Sequence, residues 1–89
     1  MGTKTNPGEF DCYENAEPDE PMFVLLARDG TAADLVRKWA DVRTVLLDAR
    51  LGSITDEEWT AELKQIAEAH ECADAMDDWR AAHRAATVT

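Results

Sequence analysis

Cations are scarce in this 89-residue chain: nine Lys and Arg stand against nineteen Asp and Glu, a formal net charge of −10. Phosphate backbones repel such a surface, which excludes charge-driven nucleic-acid binding by the chain itself. Long apolar runs are missing too. The longest, Met22 to Ala27, has six residues, far short of the ~20 that a membrane-spanning helix requires. One Lys near the start, with no apolar stretch behind it, gives no sign of a secretory signal. Only two cysteines occur, Cys12 and Cys72. They are expected as reduced thiols in a cytoplasm, a disulfide between them being the alternative. Aromatics are 7% of the residues, and Ala supplies 15 of the 40 hydrophobic ones. Ala buries little area, so the expected core rests on Trp39, Trp59, Trp79, Phe10, Phe23 and the aliphatic residues. Self-association commonly supplements a core this thin, and a homodimer stays open as an arrangement.

The negative charge sits at the two ends. Residues 1–20 hold one cation and six acids (−5), residues 21–52 five and four (+1), and residues 53–89 three and nine (−6), which together make −10. The pattern points to a cationic partner.

The spacing predicts an all-α domain over residues 9–89, preceded by a flexible lead-in over residues 1–8 that ends in the turn signal Asn6-Pro7-Gly8. The first long helix is expected near 32–51. Thr31 and Asp34 resemble a capping box, Leu35, Trp39, Val42, Leu46 and Ala49 form one apolar stripe, and Gly52 supplies a left-handed stop. The second is expected near 56–85. Thr55-Asp56-Glu57-Glu58 fits the S/T-x-x-E box, with Ile54 and Trp59 at the hydrophobic-staple positions. Its stripe reads Trp59, Leu63, Ile66, Ala69, Ala73, Met76, Trp79. Three loop residues, Gly52-Ser53-Ile54, make the two helices antiparallel neighbours. Met22–Arg28 reads either as a short strand or as a short helix after Asp19 and Pro21. With no second strand candidate in the chain, the helix is favoured. It is expected to cover the hairpin's open groove, where Phe10 and Tyr13 dock with Phe23 and Leu26.

No spacing carries catalysis. His70-Glu71-Cys72 is a poor metal set, because i and i+2 on a helix point apart and H-E-x-x-H is not completed. His70 reads as a partly buried structural residue, and both cysteines as small buried hydrophobes. No phosphate loop, nucleophile–base pair or cofactor motif is present. The expectation is a protein that is not an enzyme and has no cofactor or metal. The acids offer more. Glu57, Glu68, Glu71, Asp74 and Asp78 fall within about 120° on a helical wheel, roughly opposite Trp59, with Lys64 as the one cation among them. Carboxylates spaced by about one helical turn crudely match a row of phosphates. Together with Trp79 they form the candidate partner-binding set; a merely solvated helix face is the bland alternative.

The stretch from Phe10-Asp11-Cys12-Tyr13-Glu14-Asn15-Ala16 through Pro18-Asp19-Glu20-Pro21-Met22-Phe23-Val24-Leu25-Leu26-Ala27-Arg28-Asp29 resembles the start of small acidic proteins of bacteriophages and prophages. Leu35-Val36-Arg37-Lys38-Trp39-Ala40 and Ala73-Asp74-Ala75-Met76-Asp77-Asp78-Trp79 continue the likeness over most of the chain. The resemblance implies a mobile-element origin and life in a bacterial cytoplasm; it brings no functional residues. In size and charge the chain is similar to anti-CRISPR proteins. The expected function is therefore an interaction protein that binds a basic surface of a host protein, such as a nucleic-acid-binding complex, and blocks it. The alternative is a structural or accessory phage protein, a dimeric helical module whose acidity only solubilises.

Overall fold

Thr55 carries the strongest helix-start signal, and it acts as one. In the computed structural model, which describes residues 2–8 and 15–87 with side chains to residue 83, Thr55 Oγ1 accepts the Glu58 backbone N–H at 3.1 Å. The Thr55 carbonyl accepts the Trp59 N–H at 3.0 Å. Two long helices lie among the described residues, α1 (Ala32–Ala49) and α2 (Asp56–Thr87), and these residues contain no strand. Between them Gly52 takes φ +87°, a value that costs other residues about 1 kcal/mol. The Ser53 N–H and Oγ–H both donate to the Arg50 carbonyl, at 2.9 and 2.8 Å, which tightens the turn.

The helices pack side by side through small residues. Ala32, Ala33, Ala40 and Leu47 on α1, with Ile66, Ala69 and Ala73 on α2, are the buried core. Val36, Trp39, Ile54 and Trp59 pack on its edge, so the staple pair and two of the tryptophans serve the core as expected. Ion pairs fix the direction. Arg50 meets Glu58, Arg43 meets Glu62, and Arg37 meets Asp74 and Asp77: positions fall along α1 as they rise along α2, which makes the hairpin antiparallel.

Several expectations need correction. The inward stripe of α1 is Ala33, Val36, Ala40 and Leu47, turned by roughly 130° at 100° per residue from the expected Leu35, Trp39, Val42, Leu46 and Ala49, of which Trp39 still packs on the core's edge. Leu35, Val42 and Leu46 are about half exposed. Alanines permit the closest approach of two helix axes, and the inward stripe also holds Arg43, so a reading by side-chain size passes over it. On α2 the stripe is right in its middle, while Leu63 and Trp79 lie largely outside.

Met22–Arg28 is not a helix. Residues 20–26 have no regular structure and residues 27–31 form turns, closed by Asp29 N–H on the Leu26 carbonyl and Ala32 N–H on the Asp29 carbonyl. A seven-residue helix depends on packing for its stability, and here the hairpin seam is already filled by its own alanines. The expected docking of Phe23 and Leu26 does not occur: Phe23 is 82% exposed and Leu26 52%. Phe10 and Tyr13 lie outside the described residues.

The start of α1 also differs. Thr31 makes no side-chain cap bond; its Oγ–H donates to Asp29 Oδ1 at 2.7 Å, and its N–H to the same oxygen at 2.9 Å. The Asx-type turn at Asp29 thus organises the entry. These Thr31 bonds, backbone first, hold the Asp29 carboxyl below its usual pKa of 3.8, with Arg80 nearby adding to the effect.

Two measurements check this account. Ala40→Leu should destabilise the fold by about 1–3 kcal/mol through overpacking, lowering Tm by roughly 4–8 °C per kcal/mol. Asp29 has a depressed folded pKa, so its contribution is present above pH 3.8 and is lost as pH falls through the folded value. Asp29→Asn should therefore lower Tm at about pH 6, and the difference from the wild type should shrink as pH falls below 3.8.

Candidate functional site: the outer face of α2

Helix α2 has two sides of acid, and the structure uses them differently. Toward α1, acids meet every interhelical cation. Glu62 takes Arg43 in a two-pronged contact, Nη2 to Oε1 at 2.8 Å and to Oε2 at 2.7 Å. The same guanidinium lies 5.4 Å from the centre of the Trp39 ring, a cation–π distance. Arg37 holds Asp74 at 3.0 Å and Asp77 at 2.5 Å, and reaches Asp34 of its own helix at 3.4 Å. Its hydrogen bonds to Asp77 and then Asp74 raise the Arg37 pKa further above its already high value. Arg50 stands 3.6 Å from Glu58, next to the loop.

Away from α1, Glu57, Glu71 and Asp78 are exposed and form no ion pair among the described residues. Glu68 is half-buried on the edge of this face. The expected set is thus brought to one side of α2 with one qualification: Asp74 is drawn sideways to Arg37. From Glu57 to Asp78 the face extends about 31 Å at 1.5 Å per residue.

Trp79 ends this surface. It is 42% exposed, and its ring stacks on His83, with centroids 3.6 Å apart and planes 18° from parallel. The His83 Nδ1 also lies 2.8 Å from the Trp79 carbonyl. The indole is therefore steadied by its own helix, one turn on.

Arg37, Arg43, Asp77, Glu62 and His83 were missed in the sequence. The Trp79/His83 spacing of four was readable; the ion pairs were not, because they depend on which side of α1 faces inward. His70 is exposed rather than partly buried. Cys72 is half-buried and free, and burial pushes its thiol pKa up, away from the reactive thiolate. Among the described residues no three of His, Cys, Asp and Glu are grouped to hold a metal ion, and no helix is long and apolar enough to cross a membrane. Cys12 lies outside the described residues.

No protein-family model, no curated protein and no solved structure matches this chain.

The Arg43–Glu62 contact gives the firmest test of the inward side. A double-mutant cycle with Arg43→Ala and Glu62→Ala should return a coupling of about 1 kcal/mol, the upper end for partly exposed pairs. The coupling should shrink in ~1 M salt.

Proposed function

We propose that this chain is a small acidic interaction protein that docks the outer face of α2 on a basic surface of a host protein, an anti-CRISPR-like inhibitor of nucleic-acid binding. The observation that carries this reading is the division of charge across α2. The cations of α1 meet Glu58, Glu62, Asp74 and Asp77, while Glu57, Glu71 and Asp78 stay exposed on the far side. These exposed carboxylates, spread over about 31 Å with Lys64 between Glu57 and Glu71, complement a groove of Lys and Arg that otherwise grips phosphates, and charge of this kind speeds encounter and sets orientation. Trp79 at one end supplies an amphipathic aromatic of the type enriched at the centres of binding energy. The acidic segment before Pro21 adds to the field. The bacteriophage and prophage likeness supplies the setting, a bacterial cytoplasm, and hence the host machinery as the place to look.

The accessory-protein reading draws on a different observation, the apolar side chains left exposed on α1. The two readings part on whether the acids of one face matter more than others.

Capture from a bacterial extract, with salt-graded elution, separates them. Neutralising Glu57→Gln, Glu71→Gln and Asp78→Asn together should keep the circular dichroism spectrum and sharply reduce capture of the salt-eluted partner. Neutralising Asp34, Asp41 and Asp48, which are also exposed but lie on α1, should leave capture nearly unchanged. The lost affinity should appear chiefly as a slower on-rate, and added nucleic acid should compete for the captured protein. If both triple variants behave alike, the acidity is solvation and the accessory-protein reading replaces this one.

A further inference from the structure

The buried core of this chain is smaller than its supply of apolar side chains. Among the described residues, two large aliphatics are buried, Leu47 and Ile66, whereas eleven large hydrophobics are exposed. Four of these lie together on α1. Leu35, Val42 and Leu46 are about half exposed, and Val45 is 68% exposed. On the helical wheel they occupy one side of α1, turned away from the seam that meets α2. Val42, Val45 and Leu46 share the walls of one shallow, open depression with Asp34, Arg37, Lys38 and Asp41. Among the described residues, all four remain substantially exposed on this face.

Charge decides what can. Helix α2 carries nine acids and three cations, and residues 1–20 six acids and one cation. Two copies of a −10 chain are repelled through either surface. Around the depression on α1 the charges are even, Arg37 and Lys38 against Asp34 and Asp41, although Arg37 also reaches Asp74 and Asp77. Of the two described helices α1 is the one through which like copies meet with the less repulsion. Its outward face is also self-complementary. Lys38 borders the same apolar patch as Asp34 and Asp41, and a two-fold axis brings each copy's lysine toward the other's acids.

We propose that a second copy of this chain packs on this face, α1 against α1, to give a four-helix dimer with Leu35, Val42, Val45 and Leu46 at its centre. The pairing supplies the apolar layer that the alanine seam does not, as self-association does for other small scaffolds. It leaves the outer face of each α2 free and pointing away from the dimer axis, so the dimer presents two acidic faces. A single pair of helices about 27 Å long makes a contact at or below the standard ~800 Å² per partner, and a micromolar dissociation constant is expected. The inference stands apart from the docking reading, since it concerns the opposite side of the molecule.

Sedimentation equilibrium from about 2 to 500 μM tests it. The wild type should pass from 9.9 kDa to twice that mass. Added salt should strengthen the dimer, because it screens the repulsion between two acidic chains; docking through the α2 acids should weaken under the same salt. Val45→Lys should raise the dissociation constant about 100-fold by placing like charges across the axis, and Val45→Glu should do the same. An equimolar mixture of the two variants should restore a dimer, and should restore helicity as well if either variant alone is unfolded. A wild type that stays at 9.9 kDa throughout would overturn the proposal and leave the face to another protein. A dimer indifferent to both Val45 changes, or a mixture that does not recover, would equally overturn it.

Discussion

The hairpin depends on the close approach that alanine permits. Ala33, Ala40, Ala69 and Ala73 put almost no side chain between the helices, so backbones come near and dispersion contacts are dense. Close approach has a second effect. It brings Arg43 within reach of Glu62 and Arg37 within reach of Asp74 and Asp77. A seam of leucines would hold the axes further apart, and the same pairs would span more water. The small core and the interhelical ion pairs are thus one design feature seen from two sides.

That feature explains how charge is sorted over the surface. A helix with nine acids and three cations is poor material for packing against anything acidic. Helix α1 answers by turning Arg37 and Arg43 to the seam's edges. What remains exposed on α2 is then mainly acid, with Lys64 as the cation of that face, and what remains exposed on α1 is apolar, with Lys38 beside Asp34, Asp41 and Asp48. The two free faces differ in kind: one attracts cations over distance, the other offers only short-range burial.

Much of the fold was legible in the sequence, through local signals. Thr55, Glu58 and the Ile54/Trp59 pair set the start of α2, Gly52 set the turn, and both helices end close to where periodicity placed them. The rotation of α1 was not legible, because two apolar stripes compete on it and the larger side chains belong to the outer one. The fate of Met22–Arg28 was not legible for a related reason. Its apolar content argued for burial, and nothing local in the run reveals that alanine had already closed the groove meant to receive it. Of the acidic row, Glu57, Glu71 and Asp78 were placed correctly as outward residues. The sideways turn of Asp74 followed from Arg37, whose position depended on the misread rotation.

The order of the ion pairs along the hairpin has a kinetic side. Arg50 and Glu58 are eight residues apart, Arg43 and Glu62 nineteen, Arg37 and Asp77 forty. Closing a short loop costs little entropy, and each contact made shortens the loop that the next must close. Chains dominated by such local contacts fold in microseconds to milliseconds. Assembly therefore zips outward from the Gly52 turn, and the end clasped by Arg37 is the last to form and the first to open. Trp79 stands at that end, where a fluorescent ring reports the final step of closure from within the chain itself.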